Sequence, residues 1–238
     1  MEQTWNLNPS KRRIALCGHY GSGKTELAVS LALIAANDLP YPKVALVDLD
    51  IANPYFRSRG QRQLLEAAGV PVYGSAYREE ITAELPALGA AARAPLEDTN
   101  CLCIVDLGGN DEGAKVIRQF GNYFQRDDQE VLAVVNANRP ETSTMEGAVE
   151  HIEDMERAMG IRITGLANNC HLLRETTAQT IHQGRQFCER VSAATGLPIL
   201  LDCFPAPLVD REELLALGLA EDTLLPIGMY MRPSWLDK

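Results

Sequence analysis

Eight consecutive residues, Gly18-His19-Tyr20-Gly21-Ser22-Gly23-Lys24-Thr25, have the types and spacing of a phosphate cradle, G-x-x-x-x-G-K-T. Glycines let backbone N–H groups turn inward round phosphate oxygens. A helix opening at Lys24 would add the positive end of its dipole. Lys24 would reach the β- and γ-phosphates, and the Thr25 hydroxyl would ligate Mg²⁺. Phosphate chemistry of this kind also needs carboxylates for the metal and for an attacking water. Two apolar runs supply them. Val44-Ala45-Leu46-Val47 leads into Asp48-Leu49-Asp50, and Cys101-Leu102-Cys103-Ile104-Val105 leads into Asp106. Asp106 is followed by Leu107-Gly108-Gly109, a D-x-x-G pattern in which Asp106 would hold the Mg²⁺ shell and the Gly109 N–H would sense the γ-phosphate. Asp48 would end the strand and Asp50 stands two residues further on, and one of the two is expected to face the phosphates directly.

These groups need strands whose carboxyl ends converge, and the pattern of the chain predicts them. Short apolar runs at 12–17, 43–48, 101–106, 130–136, 161–167 and 198–203 read as strands buried on both faces. Helical patterns occupy 24–37, 59–68, 111–124, 143–159, 174–194 and 211–217. In the fourth, Met145, Val149, Ile152, Met155 and Met159 form one apolar stripe. The punctuated stretch 69–100 predicts a short strand near 71–74 and a few helical turns. Alternating strands and helices imply an α/β fold: a P-loop NTPase with a mostly parallel central sheet and helices on both faces. With no long linker and no internal repeat, residues 1–238 read as one nucleotide-binding domain.

Composition narrows the function. The net charge of −10 opposes non-specific nucleic-acid binding and adhesion to anionic lipid. The basic run Lys11-Arg12-Arg13 reads as a solvated strand entrance. No apolar run approaches a membrane span, and the first residues lack a secretory pattern, so a cytoplasmic location is expected. Six cysteines fit that compartment. Cys101 and Cys103 would share one strand face, as core packing or as a metal or redox site.

The order of P-loop, Asp-x-Asp strand and Asp-x-x-Gly strand resembles the MinD/ParA/CobQ-CobB group of P-loop ATPases, which includes the nitrogenase iron protein and the CO-dehydrogenase accessory protein CooC. The resemblance covers about residues 12–210. It implies that Asp50 positions the attacking water and that Asp48 supports the Mg²⁺ water shell. It implies adenine contact by Asn169, or by Asn168, at the end of the 161–167 strand. Pro205, after the last strand, would flank the base. Many members carry a second lysine after the first P-loop glycine, which reaches a partner's phosphates across a dimer. His19 stands there and is mostly uncharged at neutral pH, so at most a weak ATP-dependent homodimer is expected.

No Asn-Lys-x-Asp follows a strand, so ATP is expected over GTP; the nearest segment, Asn136-Ala137-Asn138-Arg139, has no aspartate. His151 and His182 fall within helical patterns and read as surface or boundary residues; His171 follows the base-contact asparagines. Three functions fit. The first is slow Mg·ATP hydrolysis serving a protein or metal-centre client, with Tyr55, Phe56, Arg57 and Arg59 as contact residues after Asp50. The second is a small-molecule enzyme of the dethiobiotin-synthetase or cobyrinic-acid amidation type. The third is a nucleotide-binding regulator with little turnover.

Overall fold

A computed structural model of the chain describes residues 10–38, 41–50, 61–74 and 91–231. The expected client-contact residues 55–59 lie outside them, as do residues 75–90, half of the punctuated stretch. The described strands, in chain order, are β1 (Arg13–Cys17), β2 (Lys43–Asp48), β3 (Val72–Tyr73), β4 (Cys101–Asp106), β5 (Gln129–Val135), β6 (Gly165–Asn168), β7 (Ile199–Pro205) and β8 (Leu224–Ile227). They form one eight-stranded sheet in the order β3-β2-β4-β1-β5-β6-β7-β8. All seven pairings are parallel.

The helices are α1 (Lys24–Asp38), α2 (Arg62–Ala67), α3 (91–97), α4 (Asp111–Lys115), α5 (Met145–Met159), α6 (Ala178–Thr195) and α7 (Arg211–Ala216). Strand alternation sorts the core into two layers. Ile14, Leu16, Leu46, Ile104 and Val134 pack beneath Leu27, Leu31 and Leu65 of α1 and α2. Ala15, Cys17, Val105, Ala133 and Val135 face the other way, against Leu96, Ile117, Ile152, Met155 and Phe187. With both faces covered, the strands must be apolar almost throughout, as their sequences are.

Several elements differ from expectation. The segment 111–124 is helical in two parts, α4 and then a 3₁₀ run over Val116–Phe124, whose Ile117, Phe120 and Phe124 still reach the core. Strand β6 begins at Gly165 rather than at 161. The Ile163 N–H instead donates to the Glu156 carboxylate (2.8 Å), and Thr164 exchanges bonds with Val131 through backbone and hydroxyl. Helix α6 starts at Ala178, where Thr177 and Thr180 close a capping box; 173–175 is a separate 3₁₀ turn. Strand β8 is an addition, and its Pro226 is tolerated because β8 is an edge strand.

The basic run is not a solvated entrance. Arg13 is wholly buried and Arg12 nearly so. Both pair with Asp128, and both donate to the Leu96 carbonyl. Arg13 also lies over the Tyr123 ring, 5.6 Å from its centroid. The two guanidiniums tie α3 and the approach to β5 onto the start of β1.

The segment after β8 straps across the front of α1. The Tyr230 and Met231 N–H groups donate to the two Glu26 carboxylate oxygens (2.7 and 2.9 Å), and Gly228 N–H donates to the Ser30 hydroxyl (3.1 Å). Gln61, at the start of α2, donates to the Tyr230 carbonyl (2.7 Å).

Candidate functional site

The P-loop leaves the carboxyl end of β1 and enters α1 directly. Gly18 has φ +147°, and a Cβ there would lie 2.5 Å from the Val134 carbonyl oxygen of β5, so no side chain fits. Lys24 and Thr25 open α1 and are both buried.

Strand register brings the carboxylates to this loop. In the β2–β4 pairing Asp48 lies opposite Asp106, and in the β1–β4 pairing Leu16 does. The chain continues in step past the strands: Leu49 N–H donates to the Asp106 carbonyl (2.9 Å) and Leu107 N–H to the Leu16 carbonyl (3.1 Å). Asp48, Asp50 and Asp106 are each at most 1 % exposed. An Asp48 carboxylate oxygen accepts from the Asp50 N–H at 3.1 Å, so the acid that ends β2 and the one just past it are structurally linked.

Asp106 has the most telling environment. Neither carboxylate oxygen has a hydrogen bond of good geometry, although the Thr25 hydroxyl is close enough to favour the charged form. Burial raises its pKa from 3.8 to about 7; Lys24 opposes the shift, and Asp48 and Asp50 add to it. Lys24 therefore offsets only part of the cost of burying this carboxylate beside two other aspartates.

Gly109 approaches the P-loop from the β4 side. A Cβ on it would meet the Tyr20 backbone nitrogen at 2.8 Å and Lys24 Nζ at 3.0 Å, so only glycine lets this backbone close on the cradle. The loop is fixed behind by Asn110, whose side chain accepts from Gly113 N–H at 2.9 Å and caps α4.

On the far side, the two candidate base-contact asparagines diverge. Asn168 donates to the Ile181 carbonyl and to Asp202, within the packing of β6, β7 and α6. Asn169 donates to the Ser22 carbonyl of the P-loop (2.8 Å), and its side-chain oxygen is buried without a partner. Asn169 is thus the one joined to the cradle. Pro205 ends β7, and its carbonyl accepts from Leu208 and Val209 in a turn. His171 lies beside Gly23: a Cβ there would be 3.0 Å from its Nε2. Burial and the Arg139 charge push its pKa down to about 4.

Two neighbours escaped the sequence reading. The His19 ring sits edge-on to that of His151 on α5, with centroids 5.3 Å apart. Burial, with His19 beside it, lowers the His151 pKa to about 4, so His151 is neutral. Arg139, in the loop after β5, donates from Nε to the Gly21 carbonyl at 2.7 Å. Neither contact has a sequence signal, since each depends on which loops the sheet brings together. Cys101 and Cys103 are buried, and desolvation raises both thiols, Cys101 to about 11.

No protein-family model matches the chain, and no curated protein matches it. Solved structures do. The cell division protein FtsY of Thermotoga maritima is 19 % identical with a TM-score of 0.53, over 84 % of this chain and 64 % of its own. The signal recognition particle 54 kDa protein of Aeropyrum pernix, in complex with GDP, is 23 % identical with a TM-score of 0.53, over 84 % of this chain and 42 % of its own. Chloroplast FtsY of Physcomitrella patens is 16 % identical with a TM-score of 0.55, over 97 % of this chain and 66 % of its own. The chain therefore spans less than two thirds of each of these proteins. At these identities the likeness is one of fold, and the fold is the α/β fold of P-loop NTPases with a parallel central sheet. Among the described residues, no helix is long and apolar enough to cross a membrane.

Proposed function

We propose that residues 1–238 form a single nucleotide-binding domain that binds Mg·ATP and hydrolyses it slowly on behalf of a protein or metal-centre client, in the manner of the MinD/ParA/CobQ-CobB group. One observation carries this reading: both Asp106 carboxylate oxygens are buried and unpartnered beside Lys24 and Thr25. Buried polar atoms are nearly always satisfied, and the donor set here, a carboxylate and a hydroxyl at the mouth of a P-loop, suits Mg²⁺. Thr25 and Asp106 would hold the metal, with Asp48 bonded to its waters. Bound there, Mg²⁺ would offset negative charge on the phosphate oxygens.

The chain's own groups do the rest. Backbone N–H groups of residues 18–25 and the Lys24 ammonium would cradle the phosphates and stabilise charge as it builds in the transition state. Asp50, buried and linked through its backbone to Asp48, would orient a water for attack on the γ-phosphate. The Gly109 N–H would bond the γ-phosphate, so the loop after β4 would differ between triphosphate and diphosphate states. The unpartnered Asn169 oxygen can accept from the 6-amino group of adenine.

Lys24→Ala tests the core of this. It should abolish measurable Mg·ATP binding in calorimetry while the thermal melt stays near wild type; wild-type affinity would end the P-loop assignment. The base is tested separately, because one of the fold's neighbours is bound to GDP. Competition binding should favour ATP, and equal or tighter GTP binding would move the reading to a GTPase.

A further inference from the structure

The P-loop is gripped from outside by two side chains, and only one of them lies in the expected base-contact segment. Asn169 donates to the Ser22 carbonyl, and Arg139 donates to the carbonyl one residue earlier, at Gly21. A trans peptide points its C=O and the following N–H in opposite directions, and the described peptides are all trans. Holding the Gly21 carbonyl towards Arg139 therefore turns the Ser22 N–H away from that side chain. There it now bonds the His19 carbonyl across the loop at 3.0 Å. Holding the Ser22 carbonyl outward does the same for the Gly23 N–H. Successive inward N–H groups are the geometry of an anion-binding nest.

Arg139 is itself firmly mounted. Its N–H donates to the Asn136 carbonyl (3.2 Å), and its carbonyl accepts from Thr142 N–H (3.1 Å). Asn136 and Thr142 are buried; the Thr142 hydroxyl donates to the Asn136 carbonyl (2.9 Å), and the Asn136 side chain accepts from Asn138 N–H (3.0 Å). The Ala137 N–H donates to Cys170 Sγ (3.1 Å), which joins this loop to the one carrying Asn169. Among the described residues no carboxylate pairs with the Arg139 guanidinium, in a chain whose net charge is −10. A cation that has no carboxylate partner and is bonded to a phosphate loop leaves its charge available to an anion bound there.

We propose that Arg139 is a positioning residue for the phosphate cradle: it orients the Gly21–Ser22 peptide with its N–H inward and lends its unpaired charge to polyphosphate bound on the other side. This rests on the nucleotide-binding reading, and it adds a second cation to Lys24, delivered through the backbone rather than by contact.

The probe is inorganic tripolyphosphate, which has no base or sugar, titrated calorimetrically into wild type, Lys24→Ala, Arg139→Met, Arg139→Gln and Arg139→Lys. A charge-assisted bond of this kind predicts binding about 10- to 100-fold weaker for Arg139→Met. Arg139→Lys should recover much of the loss and Arg139→Gln less, with ligand-free melts within about 2 °C of wild type. Unchanged affinity in Arg139→Met, with Lys24→Ala impaired, overturns the proposal and leaves the nucleotide reading intact. So does a loss that Lys does not rescue and that follows a falling melt, since Arg139 would then be merely structural. If Arg139→Met does not fold, the Lys and Gln variants decide by the same order. Wild type that binds no better than Lys24→Ala overturns both readings.

Discussion

Asp106 and Asp202 are both wholly excluded from solvent, one at the end of β4 and the other within β7. Asp202 is saturated. One oxygen accepts from Asn168 (2.9 Å), and the other from Arg185 (2.6 Å) and the Thr223 hydroxyl (2.7 Å). Asp106 has no hydrogen bond of good geometry and shares its surroundings with two further aspartates. A folded chain keeps a buried carboxylate by satisfying it, as on the β7 side. Where it leaves one unsatisfied among like charges, the missing partner comes from outside the chain. In the proposed reading the same fold uses one residue type as a rivet on one half of the sheet and as a metal ligand on the other.

The two halves should respond oppositely to mutation. Asp202→Ala should destabilise the protein by about 3 kcal/mol, because it strands Arg185, Asn168 and Thr223 together. Denaturant melts would read this, and the surviving folded fraction should bind nucleotide normally. On the site side, Asp50→Ala should leave the melt unchanged and lower turnover by roughly 10²- to 10⁴-fold with ATP affinity retained. Unchanged turnover would pass the water-orienting role to Asp48.

Asp106→Asn sharpens the contrast further. The wild-type carboxyl holds its proton more tightly folded than unfolded, because burial raises its pKa from 3.8 to about 7. Its contribution to stability is therefore full below about pH 4 and is lost as the pH climbs through about 7. The neutral amide escapes that loss. Ligand-free Asp106→Asn should melt a few degrees above wild type at pH 8, lose the difference near pH 4, and need more Mg²⁺ for ATP binding. A variant that melts below wild type at pH 8 would mean that Asp106 is another rivet.

The smallest effect lies at the mouth of the cradle. His19→Lys sets a full cation where an imidazole rests against His151. It should strengthen ATP-dependent dimerisation, which is expected to be weak at most in wild type, read by light scattering with a nonhydrolysable analogue. A variant that stays monomeric would remove the two-subunit arrangement for this chain.

The cradle and its carboxylates were legible because their chemistry depends on residue type at short spacing, next to strands apolar enough to be unmistakable. Gly18, Lys24, Thr25, Asp48 and Asp106 need no partner from afar to announce themselves. What stayed hidden is whatever tertiary contact decides. Arg12 and Arg13 look like a solvated charge run until Asp128 and the Leu96 carbonyl arrive to bury them. Arg139 is an ordinary loop residue until β5 delivers it to Gly21. The segment 116–124 has helical periodicity, but its tightening into 3₁₀ leaves no mark on that pattern, and β8 is disguised by Pro226. The asparagine pair shows both cases at once: an Asn end to the strand was readable, but which side chain turns to the loop was a matter of register.

The strap across α1 bears on how the protein is made. Glu26 belongs to the first turn of α1, yet the amides it holds lie 204 and 205 residues downstream. A ribosome adding roughly 5–20 residues per second needs about ten seconds or more to supply them. Strand β1 likewise waits for its neighbours β4 and β5, which are encoded long after it. Among the described elements α1 precedes most others yet gains its strap last, so a nascent chain first presents a P-loop with its sheet partners and its strap still unmade. The proposed nucleotide binding would then be acquired late in synthesis, with the emerging apolar β1 and α1 needing shelter for much of that time.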